Sequence, residues 1–597
     1  MSYDKLLQLY QNELAFIRIN GAEFAKAHFK LAPQLGVNSN RVVDPHMARL
    51  VEGIAFANAR IQHKLSEEAF TAHDTLLGIL DPDALAPMPA MSIVQFKITD
   101  DATEIPFIPA DTTLVSEPVA GCTCQFKTRY PIQLLPLAVN RADIFKTEQS
   151  GSPKYCSTQH ISALHLTLVH TNEMCEIPPS ALNQLRFYIN APAQYAYALY
   201  CLLFQHTLSI VVATSLEDPN PVEVKPRSCL RPVGFNQDSS MLPSNPRSFN
   251  GCHLLSEFFV FPEKFLFFEL TGLADVITEK LRAQKSIELY FLFDQSNSVL
   301  EKNINPGFFE LGCTPIVNLF EQVSEPFLLD GTRVEYPLIP DYRHTPSTIE
   351  IFSINKVMAG SVNGTASKEY LPFYSHKANG QGDYYHITRK HANEDTYPTH
   401  GSNLFLSFIH THQELSLPAV ISAQLLCTNG NLPAELPFGS TAPGLKFKHL
   451  QIDGVNSIKC ITTMTSYYHP AIQKEGKWRA ISALGLNHLN PESLSDIEHL
   501  HGLLTLYSYD QITDGALNGL LSINSKPALL TDDLRNLRQG NEITLQVDES
   551  KFNHDSLYLF GSVLNNFFAL QSTLNLATQL IIRNQQKELY RYPNVTA

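Results

Sequence analysis

From the start of the chain, apolar residues recur at alternating steps of four and three. Tyr3, Leu7, Tyr10, Leu14, Ile17, Gly21 and Phe24 fall on one helical face. Gly21 stands where that face would carry a side chain, which lets a second helix approach closely or marks a kink. The connector "LAPQLGVNSNRVV" leads to "DPHMARLVEGIAFANARIQHKLSEE" (44–68), which opens with a helix start. Asp44 suits an N-cap, and Pro45 suits the first helical position, where a missing N–H costs nothing. Met47, Val51, Ile54, Asn58, Ile61 and Leu65 then repeat the rhythm, with Leu50, Gly53 and Ala57 beside them. A third helical segment, with Ser66 as its cap, runs to Leu80 and stops at the proline cluster "DPDALAPMPA".

Beyond that boundary the period changes from 3.6 to 2. "SIVQFKI" (92–98) sets Val94, Phe96 and Ile98 on one face, and "TTLVS", "CTCQFKT", "ALHLTLVH" and "LRFYIN" follow as strands. A helix at 193–206 leads into "LSIVVAT". "IELYFLF" (287–293), "IEIFSINKV" (349–357), "NLFLSFIH" (403–410) and "AVISAQLLC" (419–427) are further strands. Asp330-Gly331 in "PFLLDGTRVEY" predicts a hairpin, and "HKANGQGDYYH" (376–386) predicts an exposed loop. Towards the end, "WRAISALGLNHL" and "PESLSDIEHLHGLLTLY" read as helices, the second capped by Ser493 or Ser495. "EITLQV" is a strand, "LYLFGSVLNNFFALQSTLNLA" a helix, and "TQLIIRN" returns to strand. The pattern predicts a multidomain α+β chain. It has a helical region at 1–88, a first β-rich domain at 89–220, a central β-rich domain at 221–465 and a mixed domain at 466–597. No fixed-period repeat is present, which disfavours solenoids and propellers.

Composition narrows the function classes. A chain of 597 residues, 44% hydrophobic, buries large cores, and 37 prolines against 28 glycines favour short strands and turns. The net charge of −14 lacks the basic footprint of a nucleic-acid binder. No apolar run reaches the length of a membrane span, no export signal opens the sequence, and ten dispersed cysteines suit reduced thiols. These features predict a soluble intracellular protein.

A search for chemistry finds little. "QKEGKW" lacks the upstream glycine and the hydroxyl of a phosphate loop, and "AGSVNG" is a loop of small residues rather than a nucleophile elbow. Cys122 and Cys124 share a strand face, but no second cysteine or histidine pair completes a tetrahedral site, so packing is the better reading. His410 and His412 also share a face, with His400 a loop away; close pairs arise readily among 22 histidines. His499 and His501 do not face each other on a helix. Glu67-Glu68 and Asp532-Asp533 sit at helix starts, where the dipole favours acids. No enzyme activity, cofactor or metal is expected. The alternative is a β-rich intracellular hydrolase with a site assembled from scattered residues.

Several stretches together resemble one family. They are "YQNELAFIRINGAEFAKAHFKLAPQLG", "DPHMARLVEGIAFANARIQHKL", "LAPMPAMSIVQF", "FIPADTTLVSEPVAG", "RSFNGCHLLSEFFVFPEKFLFFELTGL", "FFELGCTPIVNLFEQVSEPFLLD", "LLCTNGNLPAELPFG" and "LYLFGSVLNNFFALQSTLNLATQLII". They are similar to TssF, the baseplate wedge protein of bacterial type VI secretion systems, and they span nearly the whole chain. Tyr384-Tyr385 departs from the Tyr-Trp of the family pattern.

The resemblance implies a non-enzymatic structural subunit with a fold similar to wedge proteins of contractile phage tails. It implies two TssF copies with one TssG, contacts with TssK, TssE and the VgrG spike, and docking at the cytoplasmic face of the inner membrane without insertion. Partner binding is then expected at Leu7, Leu14, Gly21, Leu50, Ile54, Asn58 and Ile61 of the helices. The C-terminal segment with Phe567 and Phe568 is apolar on more than one face, so it either meets a partner or forms a core helix.

Overall fold

The computed structural model describes residues 3–27, 45–99, 101–119, 121–147, 160–172, 175, 177–213, 223–243, 245, 248, 250–272, 286–341, 349–361, 367–375, 383–391, 402–410, 419–436, 448–449, 454–469, 481, 497–508, 517–531, 537–552, 556–572, 576–585 and 587–596. Two units emerge, one ending at Ile79 and one beginning at Leu80.

The first unit holds α1 (Tyr3–Ala27) and α2 (Pro45–Leu80). The expected break at Ser66 does not occur. No proline lies between Pro45 and Pro82, so the 36-residue helix runs unbroken for roughly 54 Å at 1.5 Å per residue. The cap at Asp44 and the connector before it lie outside the described residues. Ala55 and Ala59 are fully buried, while Glu13 of α1 accepts hydrogen bonds from Asn58 (3.4 Å) and Gln62 of α2. Tyr10 meets Phe56 edge to face at 6.3 Å between ring centres.

The second unit is built from sheets whose strands come from distant parts of the chain. Met91–Ile98 pairs antiparallel with Cys313–Val317 on one side and Val455–Cys460 on the other. This central strand is buried at six consecutive positions, so both faces are covered and not only that of Val94 and Phe96. Its polar members are satisfied inside: Ser92 Oγ donates to Thr462 O at 2.8 Å, and Gln95 Nε2 donates to Glu310 at 2.6 Å. A five-stranded sheet runs in the order 223–226, 207–213, 286–293, 162–170, 137–146. Strands on the two sides of position 220 therefore share sheets.

Near Asp330 the structure corrects the sequence. Phe327–Leu329 pairs with Ala419–Thr428, and Tyr336–Leu338 pairs with Ser402–His410, so no hairpin forms at Asp330-Gly331. Both strands belong to an eight-stranded sheet, antiparallel except where Ser367–Pro372 meets Asp383–His391.

Leu537–Val547 and Ala577–Asn584 lie parallel, and the helix Ser556–Gln571 falls between them in the chain as a crossover. Gly561 lets that helix approach Tyr592 and Ile582. The helix predicted across "WRAISALGLNHL" and the start of "PESLSDIEHLHGLLTLY" lie outside the described residues, apart from Ile481 and the helix Ile497–Tyr507.

Candidate interaction surfaces

Helix α2 buries Ala55 and Ala59 and leaves several of its large apolar side chains exposed. Leu50, Ile54, Ile61 and Leu65 are 55%, 47%, 57% and 60% exposed. Asn58 is exposed and tied to Glu13, so the polar position of the stripe is already engaged within the unit. On α1, Leu7 is exposed, whereas Leu14 and Gly21 are half-buried. Gly53 serves no close approach, because a Cβ there would meet nothing within 4 Å. Phe16, Ile19 and Phe56 are also exposed and fall off the four–three rhythm that marked the other positions. Their signal in the sequence was their size and apolarity on faces otherwise polar. Large apolar side chains left exposed along one helix face are candidates for a binding surface.

The C-terminal expectation resolves differently. Phe567 and Phe568 are 1% and 2% exposed, with Leu557, Leu559, Val563 and Leu564 buried on the same helix. Asn565 is buried as well, donating to Pro593 O at 2.9 Å and accepting from Leu580 N–H at 2.9 Å. The segment is a core helix of its own unit. Its several apolar faces are filled by α-helix Asn250–Val260, by Ala193–His206 and by the strand Ala577–Asn584.

The long segment "LLSEFFVFPEKFLFF" holds a buried polar network. Lys264 Nζ donates to Glu257. The other oxygen of Glu257 accepts from Ser240 Oγ at 2.7 Å and from the backbone N–H groups of Met241 and Leu242 at 2.8 and 3.3 Å. His253 Nε2 lies 3.1 Å from Asp83, which also accepts from Asn245 N–H at 3.2 Å. Burial pulls the His253 imidazole down, but Asp83, with the charges of Glu257 and Asp81, outweighs it and holds the imidazole above its ordinary value. Burial pushes the nearby Asp81 carboxyl up. Sequence reading missed this network, although the three charges Glu257, Glu263 and Lys264 inside an aromatic run were its visible sign.

The candidate chemical residues are placed as packing and pairing groups. Cys122 and Cys124 join one apolar cluster with Val94, Phe96 and Phe126, and burial pushes the Cys124 thiol up to about 11. His410 Nδ1 lies 3.4 Å from Asp383, which also pairs with Lys368 at 2.6 Å. His501 Nε2 sits 3.2 Å from Leu520 O. His400, His412, Asp532 and Asp533 lie outside the described residues, as do the side chains of His499, Glu67 and Glu68. Among the described residues no group of three or more His, Cys, Asp and Glu is placed to hold a metal ion. No described helix is long and apolar enough to cross a membrane.

A two-helix unit with large exposed apolar side chains, joined to a β-rich body with a buried Lys264–Glu257 pair, suits a chain of the scaffold class. The fold is similar to that of a chain in the TssK-TssF-TssG baseplate subcomplex of the type VI secretion system. The TM-score is 0.72 at 24% identity, covering 91% of this chain and 98% of that one. It is also similar to a chain of the type VI secretion baseplate complex, with a TM-score of 0.58 at 20% identity and 99% of each chain covered. The family model for TssF of the type VI secretion system matches residues 2–597, and the chain belongs to the TssF family. Type VI secretion system component TssF1 of Pseudomonas aeruginosa is 28% identical over 616 aligned positions, covering 98% of this chain and 97% of the relative.

Proposed function

We propose that this chain is a structural, non-enzymatic subunit of the type VI secretion baseplate, forming a wedge core in which two copies join one TssG and TssK is bound. The observation that carries the reading is the exposed apolar stripe of α2, Leu50, Ile54, Ile61 and Leu65, on an unbroken helix of 36 residues. Each is already about half covered, so completing its burial stabilises an association by about 1 kcal/mol before ordering costs, and several together can anchor a complex. Family membership and the likeness to a chain of a TssK-TssF-TssG subcomplex support the identity of the partners. The wider assembly of the reading includes TssE, the VgrG spike and docking at the cytoplasmic face of the inner membrane. Nucleic acid and membrane insertion have no part in it, in keeping with a net charge of −14.

Co-expression with TssG and TssK, followed by native mass measurement, tests the proposal. A complex with two copies of this chain per TssG supports it. A chain that elutes alone in the presence of both partners contradicts it.

A further inference from the structure

A cavity of about 30 Å³ lies in the second unit beside the short helical turn Pro82–Leu85. Asp81 and Asp83 line it from that turn, His253 and Ser256 from the helix Asn250–Val260, and Tyr507 from the end of the helix Ile497–Tyr507.

Two residues of the lining carry buried polar atoms that no described residue meets. Asp81 is 1% exposed, and its Oδ1 has no hydrogen-bond partner among the described residues. It stands at the N-cap position of Pro82–Leu85, yet its side chain makes no cap hydrogen bond. His253 is 7% exposed. Its Nε2 is engaged with Asp83 at 3.1 Å, while its Nδ1 has no partner among the described residues. Ser248 Oγ is a third buried atom of this kind, near enough to Asp81 to favour its charged form. Tyr507 offers its hydroxyl proton elsewhere, to Cys252 Sγ at 2.8 Å. A buried donor or acceptor left unmade loses its hydration without return, so such atoms in folded proteins are met by side chains or by ordered water.

We infer that this cavity is the site of one ordered water molecule, which joins His253 Nδ1 to Asp81 Oδ1. Size sets the first limit. The cavity exceeds the ~10–15 Å³ that a single water needs and is far smaller than the ~300–1,000 Å³ of organic-ligand pockets. Charge sets the second. Asp81 and Asp83 oppose an anion, and no group of three or more His, Cys, Asp and Glu among the described residues is placed to hold a metal ion. A simple cation needs lone pairs from its neighbours, whereas a protonated His253 donates through both ring nitrogens, the state that its raised imidazole favours. Water suits the imidazole in either state, accepting from Nδ1–H or donating to the bare Nδ1, and it donates to the carboxylate in both. The chain Asp83–His253–water–Asp81 then ties both acidic residues of the turn to the helix Asn250–Val260. Asn245 N–H, donating to Asp83 at 3.2 Å, holds the same end.

Crystallography of the full chain in rubidium chloride, at a resolution that shows ordered water, tests the inference, with Asp81→Leu beside the wild type. The wild type is expected to show one peak about 2.7–3.2 Å from both His253 Nδ1 and Asp81 Oδ1, without anomalous scattering from rubidium. Asp81→Leu removes the acceptor at similar volume and should lose the peak. Absence of a wild-type peak overturns the inference, as does a direct hydrogen bond from His253 or Ser248 to Asp81 Oδ1 that closes the cavity. A rubidium signal shows a cation site instead, and a peak that survives Asp81→Leu shows that Asp81 does not hold it; either result overturns the inference too. If Asp81→Leu does not fold, the wild-type map decides alone.

Discussion

Lys264 and Glu257 form an ion pair in which each side chain is only 1% exposed. Such a pair is held by its surroundings, since two charges removed from water lose several kcal/mol of hydration apiece. Here the three donors from Ser240, Met241 and Leu242 complete the carboxylate. Lys264→Met leaves that carboxylate buried without its cation, and urea unfolding is expected to show a loss of about 3–5 kcal/mol. Glu257→Gln combined with Lys264→Met recovers most of it.

The same pair sets an acid limit. Burial alone would raise the Glu257 carboxyl, but Lys264 and its hydrogen bonds outweigh it and hold the group below the usual carboxylate range. A depressed folded-state value means stability that is present above the unfolded value and is lost as pH falls through the folded one. Lys264→Met is therefore expected to move acid unfolding, followed by circular dichroism, to higher pH.

His253 acts with the opposite sign. Its imidazole is held above the ordinary value by Asp83, with the charges of Glu257 and Asp81, so its contribution is complete below about pH 6.5 and is lost as pH rises through the folded-state value. The difference in urea midpoint between wild type and His253→Gln should shrink from pH 6 to pH 8.5. A constant difference would show that the imidazole contributes through packing alone.

Two glycines in helices give contrasting outcomes on substitution by alanine. Gly53 has open space around its Cβ position, so Gly53→Ala should stabilise α2 by up to about 1 kcal/mol. Gly561 has the ring of Tyr592 and the end of Ile582 in that place, and the Tyr592 hydroxyl donates to Tyr558 O at 2.9 Å. Gly561→Ala forces that buried ring to move and should destabilise by about 1–3 kcal/mol, read from thermal melting of the body.

What was legible in the sequence follows from what is local. The strand at 286–293, the helix at 193–206 and the change of period after Leu80 were readable because periodicity and proline act within a few residues. The partners of Asp330 were not, because strands 327–329 and 336–338 pair with segments far away, and a turn dipeptide cannot report where its flanking strands go. Apolarity alone did not separate Ile54 from Phe567. Both belong to apolar helical faces, yet one is 47% exposed and the other 1%, the second lying on a helix packed against the helices Asn250–Val260 and Ala193–His206 and the strand Ala577–Asn584.

The central claim, that the α2 stripe binds partner chains rather than the protein's own core, is tested most directly by Ile54→Asp. Ile54 is already about half exposed, so an aspartate there should change folding stability by no more than about 0.5 kcal/mol. In an interface the same charge would be desolvated beside apolar side chains, at a cost of about 2 kcal/mol or more. The measurement is affinity for TssG by titration, with circular dichroism and thermal melting of the variant beside it. A wild-type melt is expected together with at least about a thirtyfold loss of TssG affinity. A wild-type melt with unchanged TssG affinity would contradict it.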